Sequence, residues 1–215
     1  APSPTGRLHL GHAFSALFSQ REAEKRNGKV LLRMENIDEA RCKTEYETYI
    51  KEDLNWLGFD WTGAVRRQSD HMEDYQIALQ KLKEIGVLYP CFCSRRDILK
   101  EIENSSGAPH DGIVGPDGPI YPGTCRSLTQ DLQDEGISCG KRYALRLDVR
   151  RAKDIVGSIS WFDADTGETP AKPEIFGDIV LARKDIMTSY HLSCTVDDNI
   201  QGISLVTRAQ DLALA

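Results

Sequence analysis

Ala1-Pro2-Ser3-Pro4-Thr5-Gly6-Arg7-Leu8-His9-Leu10-Gly11-His12 opens the chain. Two prolines, a serine and a glycine among the first six residues cannot sustain a ladder or a helix, so residues 1–6 are predicted to be a loop leaving a strand. Beyond them Leu10, Ala13, Phe14, Leu17 and Phe18 recur at helical spacing through Arg26, and Asn27-Gly28 supplies a stop. A loop running straight into a helix suits phosphate binding, because the first backbone N–H groups are unpaired and carry the positive end of the macrodipole. His9 and His12 share one face of the first turn and can donate hydrogen bonds to a polyphosphate. Gly11 lets a ligand come close to the backbone. The plainer alternative is that His9 caps the helix locally and His12 lies on the surface. The strand that would feed the loop is not in the sequence, and residues 209–215 read as the start of a helix. The chain is therefore expected to be an internal piece of a longer protein.

Working outward, Val30-Leu31-Leu32 followed by Arg33-Met34-Glu35 fits a short buried strand that delivers polar side chains at its C-terminal end, where open α/β sheets bind ligands. Thr44 with Glu47 three positions on is a capping-box pattern for a helix lined by Tyr49, Ile50, Leu54 and Leu57 up to Gly58. Ser69 or Asp70 can cap the next helix, which Ile77, Leu79, Leu82 and Ile85 carry to Gly86. At Tyr89 the character changes. A charged helix over 94–103 and a Gly/Pro/Asp/Ser stretch over 104–123 mark an insertion. Residues 141–148 alternate like an antiparallel strand with one wet face; 155–162, 179–182 and 202–207 read as further strands, and 189–197 as a helix packed on the last two.

The 215 residues suffice for one domain with a substantial insertion, or for two small ones. Lysine and arginine number 27 against 33 acidic residues, a net charge of −6, so nonspecific attraction to phosphates is not the chain's main property and any nucleic-acid contact must use local patches. No window approaches 18 consecutive apolar residues and the N-terminus lacks the order of a signal peptide. Neither membrane insertion nor secretion is expected, and the cytoplasm is the expected compartment. Six cysteines are too dilute for a disulfide scaffold, so a clustered subset is better read as metal ligands. Cys91-Phe92-Cys93 puts two thiols on one side of an extended segment, and Cys125 follows across the Gly/Pro stretch. Zinc tying the two ends together would offset the entropy of ordering that stretch. By general ligand preference His110 would be the fourth ligand, since imidazole outranks a phenol. Cys42, Cys139 and Cys194 are dispersed and read as small core or surface thiols.

The opening residues do not stand alone. Together with Arg33-Met34-Glu35-Asn36-Ile37-Asp38, Trp56-Leu57-Gly58, Asp60-Trp61, Gln68-Ser69, Thr188-Ser189-Tyr190-His191-Leu192, Val196-Asp197-Asp198 and Val206-Thr207-Arg208, they resemble the catalytic domain of class I glutamyl-tRNA synthetases over nearly the whole chain. The resemblance implies an α/β fold, a class I synthetase Rossmann-like nucleotide-binding domain with a zinc-containing insertion. Residues 1–88 would form its first half, 89–140 the insertion and 141–215 the return, ending ahead of a K-x-S-K loop. It also implies an ATP-dependent ligase that joins an amino acid to the α-phosphate of ATP, with Mg2+ bridging phosphates, and then to tRNA. Pro4, Thr5, Gly6, His9, Gly11 and His12 would bind ATP, with His9 and His12 catalytic. Ser3, Glu35, Tyr190 and Arg208 match positions that hold glutamate. That chemistry is sensible: Glu35 suits an ammonium, Arg208 a carboxylate, and the two hydroxyls the rest. The plainer alternatives are a half-buried aromatic at Tyr190 and a surface charge at Arg208.

C-x-C followed by Tyr121-Pro122-Gly123-Thr124-Cys125 narrows the resemblance to the glutamyl-queuosine tRNA(Asp) synthetases. In these short relatives a tyrosine completes the zinc shell, which here would be Cys91, Cys93, Tyr121 and Cys125. They lack the anticodon-binding half and attach glutamate to queuosine in the anticodon of tRNA(Asp). The implied partners are L-glutamate and tRNA(Asp) carrying queuosine; the implied cofactors are ATP, Mg2+ and Zn2+, and a monomer is expected. Three positions depart from the family pattern: Asn36 replaces an aspartate, Ile186 a glycine, and Cys194 the asparagine often carried by glutamyl-tRNA synthetases. Two other readings stay open, a glutamyl-tRNA synthetase catalytic domain charging tRNA(Glu) and a noncatalytic paralogue that binds tRNA or a partner.

Overall fold

Helix α1, Leu10–Lys25, ends where the sequence says it should: Asn27 takes the left-handed conformation at φ 51° and the Gly28 N–H reaches back to the Ala23 carbonyl at 2.8 Å. The same closure ends α2, Thr44–Trp56, at Gly58 (φ 70°), with the Phe59 N–H on the Leu54 carbonyl at 3.0 Å. A computed structural model describes residues 1–105, 114–116 and 118–209. The chain divides into two compact units, Ala1–Tyr75 with Ser193–Ala215, and Gln76–Leu192.

In the first unit, strand β1 (Arg33–Met34) pairs in parallel with β2 (Arg66–Arg67), and α2 crosses between them, the βαβ arrangement expected of an α/β fold. The ladder begins at Arg33; Val30, expected inside the strand, gives its carbonyl to the Thr62 N–H instead. The core gathers Leu32, Met34, Ile50, Leu54 and Phe59. Helix α1 packs against it through the small residue Ala16, whereas Leu10, Phe14, Leu17 and Phe18, the expected inward face, stay exposed, Leu10 by 86%. The small side chain of Ala16 lets the helix lie close to the layer beneath.

Helix starts were less legible. Lys43, not Thr44, precedes α2, and no side chain caps it. Glu47, expected to close a capping box, is buried and receives Arg67 Nε at 2.8 Å and Asn36 Nδ2 at 3.0 Å. Asn36 also donates to Ser69 Oγ at 2.9 Å and accepts from the Ser69 N–H at 3.0 Å. An aspartate at position 36 would set a second carboxylate against Glu47; the amide supplies donors instead. A 3-10 turn, Gln68–His71, holds Ser69 and Asp70, so α3 starts only at Met72 and runs to Ile85. It buries Tyr75 and Leu79, while Ile77 and Ile85 are about half exposed.

One carboxylate ties this unit together. Asp197, with no exposed surface, accepts from Arg66 Nε at 2.8 Å, Gln68 Nε2 at 2.9 Å and the Tyr75 hydroxyl at 3.0 Å, and Arg33 Nε stands 3.7 Å away. Residues 202–207 join no ladder among the described residues, so the strand expected there is absent; Thr207 instead meets Ser19 through their hydroxyls at 2.6 Å. The helix expected over 209–215 lies almost wholly outside the described residues.

The second unit begins with β3 (Leu88–Cys91) and α4 (Arg95–Ser105). Ser94 caps α4 reciprocally: its Oγ accepts from the Asp97 N–H at 3.2 Å and Asp97 accepts from the Ser94 N–H at 2.8 Å. A short hairpin, β4 (Val114–Gly115) with β5 (Gly118–Pro119), and α5 (Gln130–Ser138) precede β6 (Ala144–Leu147). The strand expected over 155–162 is largely replaced. Asp148 accepts from the Arg151 N–H at 3.1 Å and commits Val149–Val156 to a helix, α6. Only Ser160–Asp163 is extended, as β7, in a hairpin with β8 (Gly167–Pro170). Asp163 turns that hairpin by accepting from the Asp165 and Thr166 N–H groups. Strand β9 (Val180–Ala182) completes an antiparallel sheet in the order β3-β6-β9, and α7 spans Tyr190–Ile200. Buried Asp178 joins this unit as Asp197 joins the first, accepting from Tyr89, from Arg126 at 2.6 Å and from the Val149 N–H at 3.1 Å. No helix among the described residues is long and apolar enough to cross a membrane.

Candidate active site and thiol cluster

The opening loop is laid along the end of β1 by two backbone bonds: the Pro2 carbonyl accepts from the Glu35 N–H and the Pro4 carbonyl from the Lys43 N–H, both at 3.0 Å. Pro4 is buried, Ser3 and Thr5 are exposed, and nothing lies within 4 Å of where a side chain on Gly6 would begin. The loop therefore presents open space just before α1.

His9 is the residue that starts α1. Its Nδ1 accepts from the Gly11 N–H at 3.1 Å, while His12 Nδ1 accepts from the His9 N–H at 3.2 Å. The two rings lie 3.9 Å apart. His9 thus caps the helix, and the cap leaves a ligand-binding role intact: with each Nδ1 acting as an acceptor, each proton sits on Nε2, so both rings keep an outward donor. Partial burial, and then His9, hold His12 below the ordinary imidazole pKa, which keeps it neutral at neutral pH. Gly11 has a further reason to be glycine, since a Cβ there would lie 3.0 Å from His9 Cε1.

Glu35 follows β1 with its side chain 10% exposed. One carboxylate oxygen faces Arg33 Nη2 at 3.4 Å and the Cys194 thiol at 3.2 Å. Arg33 also donates to Asp198 at 2.7 Å and to Gln201 at 3.2 Å, so its guanidinium is shared between Glu35 and these two side chains. Burial, and then Glu35 itself, push the Cys194 thiol up to about 12, which keeps it a neutral S–H donor. Its spacing alone puts Cys194 among the dispersed thiols, whereas the resemblance already marks it, as the position where glutamyl-tRNA synthetases often carry an asparagine of the substrate pocket. Ser3 and Glu35 are brought together through the Pro2–Glu35 bond. Arg208 is exposed in the segment after α7, and Tyr190, 40% exposed, belongs to the second unit.

The second constellation lies wholly in the second unit. The sulfurs of Cys91, Cys93 and Cys125 fall within 4.8 Å of one another. Strand β3 delivers Cys91, the chain just beyond it Cys93, and the 3-10 turn Thr124–Ser127 brings in Cys125. Cys93 Sγ is 3.4 Å from Cys125 Sγ and 3.6 Å from the Tyr121 hydroxyl, which accepts from the Cys125 N–H at 2.8 Å. Tetrahedral zinc with bonds of about 2.3 Å spaces its sulfurs about 3.8 Å apart, so this donor set suits that metal in both chemistry and spacing. His110 lies outside the described residues. Burial pushes Cys93 up to about 12 and also raises Tyr121. Cys125 differs: burial alone would raise it, but the Tyr121 hydroxyl and the backbone N–H groups of Phe92 and Cys93 hold it below the ordinary thiol value.

The family of class I tRNA synthetases (E and Q), catalytic domain, matches residues 1–214. A glutamyl-Q tRNA(Asp) synthetase of Rhodobacter capsulatus is 44% identical over 217 residues, which cover 99% of this chain and 76% of that protein. One from Nitratidesulfovibrio vulgaris is 39% identical, covering 99% of this chain and 64% of the relative. A glutamate–tRNA ligase of Aquifex aeolicus is 38% identical over 98% of this chain but only 42% of its own length. Among solved structures, a glutamate tRNA ligase from Elizabethkingia meningosepticum superposes on 94% of this chain and 41% of its own with a TM-score of 0.72 at 23% identity, a likeness of fold.

Proposed function

The chain belongs to the catalytic-domain family of the class I tRNA synthetases for glutamate and glutamine, and on that premise we propose that the protein activates L-glutamate with ATP and transfers it to queuosine in the anticodon of tRNA(Asp). The observation that carries this reading is the 44% identity, across 99% of the chain, to a relative named for that activity. The assembled C-x-C and Y-x-G-x-C cluster supports it.

The residues divide the work by chemistry. Glu35 receives the substrate ammonium, Arg208 a carboxylate, and Ser3 supplies a hydroxyl, so a glutamate carboxylate oxygen is held in line with the α-phosphorus. That oxygen attacks, the bond to the β,γ-phosphates breaks, and glutamyl-adenylate and magnesium pyrophosphate result. As charge builds on the phosphate oxygens, the Nε2–H donors of His9 and His12 stabilise it; the reciprocal cap has already fixed which nitrogen carries each proton. Pro4, Thr5, Gly6 and Gly11 shape the backbone around the nucleotide. Attack by queuosine on the activated carbonyl then releases AMP. Cys91, Cys93, Tyr121 and Cys125 would hold zinc, which supplies a cross-link between β3 and the following turn.

Glutamate transfer to purified tRNA(Asp) with and without queuosine tests the proposal. The expected result is incorporation that depends on the modified base and is absent with tRNA(Glu). Equal incorporation into unmodified tRNA(Asp), or charging of tRNA(Glu), contradicts it.

A further inference from the structure

Lys184 stands two residues past β9, in a turn closed by the Arg183 N–H on the Ile186 carbonyl at 2.8 Å. Its ammonium reaches across to the C-x-C segment and donates to the carbonyls of Phe92 at 3.3 Å and Cys93 at 3.1 Å. The Cys93 sulfur at the end of that segment lies 3.4 Å from the Cys125 sulfur. The two carbonyls that flank Cys93 are held by one cation, which fixes the backbone that presents its sulfur. The Phe92 ring is wedged as well: a Cβ on buried Gly136 of α5 would meet it at 2.6 Å, and Tyr143 packs edge-on with ring centroids 5.8 Å apart.

We propose that Lys184 is an outer positioning residue of the metal centre formed by Cys91, Cys93, Tyr121 and Cys125, fixing the C-x-C backbone and offsetting the charge of the bound thiolates. The proposal rests on the zinc reading above. A divalent ion with three thiolates carries at least one surplus negative charge. A cation held on nearby carbonyls offsets that surplus without competing for the metal. No motif points to Lys184, because its partners lie 91 and 92 residues earlier in the chain.

Zinc content and zinc affinity, measured on the intact protein by competition with a chromophoric chelator, test this role. Wild type is expected to hold one equivalent, Cys91→Ser to lose it, and Lys184→Met to bind zinc roughly 10- to 100-fold more weakly while keeping its circular dichroism. Lys184→Arg should recover most of the affinity, and Lys184→Gln, which keeps a donor but not the charge, should fall between. If Lys184→Met matches wild type within about twofold, the role is wrong although the metal centre stands. Folded wild type that takes up no zinc overturns the centre and this role together.

Discussion

Replacing His9 by alanine should lower glutamate-dependent ATP–pyrophosphate exchange by about 10²- to 10³-fold while leaving glutamate binding within about twofold. The asymmetry follows from where the ring acts. Its Nε2–H is proposed to meet charge that grows only as the α-phosphate is attacked, and nothing in that contact holds the amino acid. Two losses must be separated, because His9 also starts α1 by accepting from the Gly11 N–H, and its own N–H is taken by His12. Loss of a helix cap costs about 1 kcal/mol of stability, too little to imitate the rate effect. His9→Asn separates them: asparagine caps well, so it should restore stability and leave exchange low. Equal falls in exchange and glutamate binding would show that His9 serves the ground state.

Asp197→Ala should destabilise the protein by about 3–5 kcal/mol, read as a lower denaturant midpoint. Asp197 is wholly buried and takes donors from Arg66, Gln68 and Tyr75, with Arg33 beside it. Alanine removes the carboxylate that Arg66 and Arg33 share, leaving them only Asp74 and Asp198 at their other faces, and strands the Tyr75 hydroxyl and the Gln68 amide. An exposed pair sets the scale. Lys153 and Glu174 are 2.9 Å apart with side chains 48% and 49% exposed, and Glu174→Ala should leave the denaturant midpoint close to that of wild type. If the two variants proved equally mild, the buried network would not be what holds β1, β2 and the last helix together.

Local signals translated well into structure. Asn27-Gly28 and Gly58 stop their helices through the left-handed closures their side chains permit, and the H-x-G-H spacing puts two imidazoles on one turn. The C-x-C and Y-x-G-x-C spacings likewise brought three sulfurs and a phenol together. What failed depended on partners distant in the chain. Periodicity could not tell which apolar side of α1 turns inward, since Ala16 and the Leu/Phe row both fit a helix. Thr44 and Glu47 have a capping-box spacing, yet Arg67 and Asn36 claim Glu47 from 20 and 11 residues away. Ile155 and Val156 look like strand residues until Asp148 caps a helix through them. Spacing says nothing of Cys194 reaching Glu35, 159 residues earlier; only its place in the family pattern, where an asparagine is common, marks it.

The most direct test is a crystal structure of the intact protein with a nonreactive analogue of glutamyl-adenylate. The phosphate is expected within about 2.7–3.2 Å of Nε2 on both His9 and His12, and the analogue's ammonium on Glu35. A phosphate bound away from the start of α1, or imidazoles that turn Nε2 from it, would show that the first turn of α1 is not the nucleotide site.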